Sequence, residues 1–124
     1  MSSVNPVGWF EIPVVDLERA CAFYQQVFLL QFERMQMGPS DMAMFPYDHQ
    51  ANGAAGALVK EAGYEPSSSG TLVYFVADDV ASTLERVKAA GGKVVLPKTA
   101  IGEHGFIGHF TDSEGNKVGL HSMQ

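Results

Sequence analysis

Apolar and polar residues alternate over residues 7–13, with Gly8, Phe10 and Ile12 on one face of a predicted strand and Val7, Trp9 and Glu11 on the other. Asp16 then offers an N-cap and Glu18 an acidic first turn. Leu17, Ala20, Cys21, Tyr24, Val27 and Phe28 follow at helical spacing, which predicts an amphipathic helix. No glycine closes it. Leu29-Leu30 comes directly after Phe28, so the left-handed cap usual at such an end is expected to be absent or strained. Strands are predicted over 32–37, 42–45 and 54–59, separated by a Pro39-Ser40-Asp41 turn, a polar loop over 46–52 and the turn signal Asn52-Gly53.

The second half repeats this order. A strand over 71–76 leads to a cap at Asp79 and a helix over 80–90 with Val80, Leu84 and Val87 inward. Gly91-Gly92 supplies the stop, and strands follow over 93–96, 105–110 and 117–121. Asp16 and Asp79 are 63 residues apart, as are Trp9 and Leu72. The chain therefore reads as α+β, one domain over residues 1–124 built from two paired βαβββ modules. Module 1 covers about residues 5–60, a Ser-rich linker about 61–69, and module 2 about 70–122. Neither repeat can close a core alone, so the two are expected to pack together, with the faces away from the helices forming a central cleft.

A length of 124 residues suffices for a core without disulfides. The net charge of −6, with eight scattered basic residues, argues against a nucleic-acid partner. No apolar run approaches the ~20 residues of a membrane span, so no membrane partner is expected. Residues 1–6 lack the basic and apolar regions of a signal peptide, and Cys21 has no cysteine to pair with, so a cytoplasmic location is expected. On its helical face Cys21 reads as a small core residue.

Val14-Val15-Asp16-Leu17-Glu18-Arg19-Ala20, Phe23-Tyr24, Val27-Phe28, Ala89-Ala90-Gly91-Gly92 and Asp112-Ser113-Glu114-Gly115-Asn116 resemble the vicinal oxygen chelate superfamily of glyoxalases, extradiol dioxygenases and bleomycin-resistance proteins. Trp9-Phe10-Glu11-Ile12-Pro13, Gly56-Ala57-Leu58-Val59-Lys60, Leu96-Pro97-Lys98-Thr99, Ile101-Gly102-Glu103-His104-Gly105 and Gly119-Leu120-His121-Ser122 are similar to its predicted lactoylglutathione lyase-related branch. The resemblance implies duplicated βαβββ modules, a small-molecule ligand and a homodimer. In the family's metal enzymes it also implies four ligands, one on the first and last strand of each module. Here those positions fall on Trp9, Leu72, Gly119 and, by the internal offset, Gly56. None of these side chains coordinates a divalent cation. No cofactor is therefore expected, and lactoylglutathione lyase activity itself is not expected.

Period two adds neighbours to those positions. Glu11 shares a face with Trp9, and His121 with Gly119, while Tyr74 and Leu58 are placed beside Leu72 and Gly56. The expected ligand-binding set is Trp9, Tyr74, Leu58, Gly56, Leu72 and Gly119. Glu11 is the candidate general base, its pKa raised beside Trp9, with His121 or His104 as proton partner for lyase- or isomerase-like chemistry. An alternative is a non-catalytic drug- or metabolite-sequestering protein. A second alternative is a shifted metal site made by Glu11, His121 and either His104 or His109. The segment 98–106 reads as a connection able to lie over the cleft, and His49 as a solvated loop residue. Met35, Met37, Met42 and Met44 are expected to fill core.

Overall fold

The computed structural model describes residues 5–124, so the reading of residues 1–4 lies outside the described residues. Strand β1 (Trp9–Pro13) leads into helix α1 (Leu17–Phe28), and β2 (Glu33–Met37), β3 (Ser40–Met44) and β4 (Ala55–Lys60) complete the first module. In the second, β5 (Tyr74–Val76) leads into α2 (Val80–Ala89), followed by β6 (Lys93–Ala100), β7 (Phe106–Thr111) and β8 (Lys117–Ser122). The sheets have matching orders, β1-β4-β3-β2 and β5-β8-β7-β6. In each, the first strand pairs parallel with the last, and the remaining pairs are antiparallel. This is the α+β paired-module architecture read from the repeat.

The helix ends follow their sequences. Asp16 accepts from the Arg19 amide and Asp79 from the Ala81 amide, so both N-caps form. At the other end α1 closes on Leu29 itself, held at φ 57° and ψ 49°. A left-handed non-glycine residue costs about 1–2 kcal/mol, and Leu29 is 71% exposed, so packing returns little of it. In α2 the left-handed position falls to Gly91 at φ 94°, where no Cβ opposes it.

Both helices cover one face of their sheets, and the core lies there. Ile12, Ala43, Phe45 and Leu58 from the first sheet join Phe110, Val118 and Leu120 from the second, around Leu17, Tyr24, Val27, Val80, Leu84 and Val87. Cys21 is buried with them, and that burial pushes its thiol pKa up, as befits a core residue. Phe75 brings the modules together: its ring centroid lies 4.7 Å from Phe28 and 5.5 Å from both Phe10 and Phe45.

The turn over 112–116 is the polar clamp between modules. Asp112 accepts from the buried Tyr24 hydroxyl at 2.7 Å and from the amides of Glu114 and Asn116. Asn116 donates to the Pro13 carbonyl and accepts from the Ser67 amide. Glu114 crosses to the start of α1, where it accepts from the amides of Val15 and Asp16 and from Arg19 at 2.7 Å. Burial by itself would raise the Glu114 pKa. Arg19, the two amides and Ser113 outweigh it and lower the value to about 2.

Two sequence expectations need correction. β6 runs on through Pro97 to Ala100, with register shifts on both sides of Leu96. As an edge strand it tolerates the missing amide, which leaves only residues 101–105 as the connection to β7. Of the four methionines only two fill core, and not the main one. Met42 and Met44 form a separate cluster with Ala57 and Val59 on the opposite face of the first sheet, and Met35 and Met37 are exposed.

Candidate functional site

The faces turned away from the helices carry the candidate chemistry. On the first sheet, Trp9, Glu11 and Pro13 are in register with Ala55, Ala57 and Val59, and Ala57 and Val59 with Met44 and Met42. This register corrects two predicted binding residues. Leu58 pairs with Ile12 and is fully buried in the main core, so it points away from Trp9. Gly56 pairs with Phe10, and a Cβ there would lie 2.5 Å from the Phe10 ring, so its bareness serves packing. The cause is a change of offset between the repeats. Tyr74 stands 63 residues after Glu11, but their partners, Gly119 and Ala57, are 62 apart. A single residue of slip in a strand moves every side chain to the other face.

On the second sheet Gly119 lies between Tyr74 of β5 and His109 of β7, in register with both. A Cβ on Gly119 would come within 2.5 Å of the Tyr74 ring. Without one, the phenol crosses the middle strand, and its hydroxyl meets His109 Nε2 at 2.7 Å. Burial lowers the His109 pKa and the charge of Lys117 lowers it further, which favours the neutral imidazole. The sequence left the direction of His109 open and did not join it to Tyr74. The available signal was a glycine flanked across the sheet by two hydrogen-bonding side chains. Leu72 precedes β5 and is half-buried.

The predicted proton pair is not assembled. Glu11 is exposed, accepts from the Trp9 indole N–H at 3.2 Å, and lines a depression of about 210 Å³ with Asn116, Lys117 and linker residues. Glu11 is therefore open to solvent and is not enclosed against the indole. His121 lines a different depression, of about 380 Å³, with Val76 and the C-terminal residues. Its Nε2 lies 2.6 Å from the His104 carbonyl oxygen. A carbonyl only accepts, so Nε2 carries a proton and donates it to that oxygen. His104 thus meets His121 through its backbone, from the exposed turn Gly102–His104.

The residues do not fit a metal centre. The outer-face positions hold Trp9, Ala57 and Gly119, with Leu72 ahead of β5, and none offers a donor side chain. The shifted set is also not formed: among the described residues no three His, Cys, Asp or Glu side chains converge on a common point.

A further depression lies at the end of the first sheet beside Trp9. Its volume is about 590 Å³, within the range of small-molecule pockets. Phe32, Phe45, Tyr47, Met44 and Glu33 contribute to its walls. Of the predicted site residues only Trp9 takes part, and sequence reasoning missed the others because they come from three separate strand ends. No helix among the described residues is long and apolar enough to cross a membrane.

Residues 7–120 match the model of the Glyoxalase/Bleomycin resistance protein/Dioxygenase superfamily. A glyoxylase-like domain-containing protein of Didymella fabae is 30% identical over 116 residues, covering 89% of this chain and 88% of that protein. Glyoxalase I from Zea mays superimposes with a TM-score of 0.69 at 22% identity over 94% of this chain, which spans 46% of that enzyme's length. TnmS3, an antibiotic binding protein from Streptomyces sp. CB03234, superimposes with a TM-score of 0.69 at 23% identity over 100% of both chains. At these identities the structural likeness establishes the fold alone.

Proposed function

The chain belongs to the Glyoxalase/Bleomycin resistance protein/Dioxygenase superfamily, and from that premise we propose that it binds a small organic molecule beside Trp9 without a metal. The observation that carries this reading is the depression of about 590 Å³, whose walls are mostly aromatic and apolar. Its lining includes Glu33 and Tyr47 but no imidazole, amine or thiol to pair with them for proton transfer. That composition supports capture of a ligand over its conversion. The likeness in fold to an antibiotic binding protein agrees with it.

The Tyr74–His109 pair supports a second reading, acid–base chemistry of the lyase or isomerase kind. A neutral imidazole joined to a phenol is suited to passing a proton, and it replaces Glu11 and His121 as the pair in that role. Assembly as a homodimer is part of the proposal. Trp9, Met35, Met37, Tyr74 and Val76 leave apolar surface exposed on the two outer faces, as a chain with a covering partner would.

A fragment panel followed by NMR tests the reading. Shifts gathered on Trp9, Met44 and Tyr47, with the fragment recovered unchanged, are the expected result. Shifts gathered on Tyr74 and His109, with conversion of the fragment, overturn it in favour of the enzyme. Light scattering at micromolar concentration reads the oligomeric state, and a monomer removes the dimer from the proposal.

A further inference from the structure

The geometry points to an organic cation, an ammonium group carried on a flat apolar body, as the ligand class of the depression beside Trp9. This rests on the reading of that depression as the binding site.

The walls combine four aromatic rings, Trp9, Phe32, Phe45 and Tyr47, with one thioether, Met44, and one carboxylate, Glu33. No lysine, arginine or histidine lines it. Aromatic faces carry negative potential and attract ammonium groups, most strongly where water is excluded. The Trp9 N–H is already given to Glu11, so the π surface is what the indole has left to offer a ligand. Phe32 and Phe45 pack edge-on at 4.8 Å, and Tyr47 packs edge-on against His49 at 4.3 Å, so three of the walls are braced.

Glu33 stands in register with Met44 on the outer face of the sheet. Its neighbour Arg34 points to the other face, where it is paired with Glu18. Among the described residues Glu33 has no ion-pair partner. Its charge is therefore available to a ligand. A net charge of −6 enriches cations around the whole chain. An anionic ligand would meet Glu33 with no compensating donor cation and would be disfavoured.

Trp9 is the single tryptophan of the chain, so its emission reports this site without interference. The probes are benzyltrimethylammonium, its neutral isostere neopentylbenzene, and phenylacetate as the anion. Benzyltrimethylammonium is expected to shift Trp9 emission at concentrations about tenfold lower than neopentylbenzene, with phenylacetate weakest. Glu33→Gln, on an exposed edge strand, should remove most of that preference while leaving the neutral probe unchanged. Tyr47→Leu should weaken the cation about fivefold by an independent route. Equal binding of cation and isostere, unmoved by Glu33→Gln, overturns the ligand class and leaves the site standing. Failure of all three probes to perturb Trp9, with fragments mapping elsewhere, overturns the site itself.

Discussion

At equivalent positions across their sheets the two modules present Glu11–Ala57–Met44 and Tyr74–Gly119–His109. The backbone frame is the same in both, and the middle residue differs by one methyl group. In the second module that difference lets a phenol lie over the strand and reach an imidazole at 2.7 Å. In the first, the carboxylate turns to the indole two residues away on its own strand. A duplicated frame thus holds two unrelated surfaces, one aromatic and acidic and the other a phenol hydrogen-bonded to an imidazole. In the second module the absence of a single Cβ is what lets the two polar groups meet.

The largest effect should come from the clamp that joins the modules. Glu114→Gln is expected to cost on the order of 3 kcal/mol at neutral pH, because Glu114 holds a carboxyl pKa of about 2 against an ordinary 4.5. A depressed folded value contributes stability that is complete above the ordinary pKa and is lost as the pH falls through the folded one. Urea unfolding from pH 7 to pH 2 should therefore show wild type and variant converging below pH 4.5. A gap that stays constant through that window would refute the charge-based account.

A smaller effect tests the contrast between the two faces. In Gly119→Ala the new Cβ displaces the Tyr74 ring and breaks its bond to His109, at an expected cost of about 1–2 kcal/mol. With the ring lifted, the His109 pKa should rise toward 6.5, because burial is the main cause that lowers it. An NMR titration of the imidazole reads this directly. An unchanged titration would mean that Tyr74 does not shield the ring.

The helix ends give the smallest change, opposite in sign between modules. Leu29→Gly should stabilise the chain by about 1 kcal/mol, since it relieves a left-handed leucine that is mostly exposed. Gly91→Ala, at φ 94°, should destabilise it by about 1 kcal/mol. Thermal melts of the pair serve as the check, and equal signs would show that the caps do not set the difference.

Much of the fold was legible because it depends on local rules. Asp16 and Asp79 announced the helices, the missing glycine after Phe28 announced the strained end, and the recurring offset announced the duplication. The strand faces were legible only where the offset held. At β4 it slipped by one residue, so Gly56 and Leu58 were assigned to the face opposite their true one. Met42 and Met44 do fill core, though on the outer face of their sheet, while Met35 and Met37 were misplaced because period two does not say how far a neighbouring element covers a face. The partners of Glu11 and His121 were hidden for another reason: a side chain's hydrogen bonds go to whatever lies nearest in space. For His121 that is a carbonyl 17 residues away in the chain.

The sequence by itself determined the class of the protein: two modules, their caps and their shared superfamily. Those follow from residue identity and from periodicities that neighbours along the chain enforce. Tertiary structure decided where the chemistry sits. It gathered Trp9, Glu33, Met44 and Tyr47 around one depression, joined Tyr74 to His109 across Gly119, and left Glu11 and His121 in separate surroundings. Strand register is a long-range quantity: a one-residue slip turns a side chain to the other face, and one missing methyl group lets two side chains meet across a strand, without altering any local pattern.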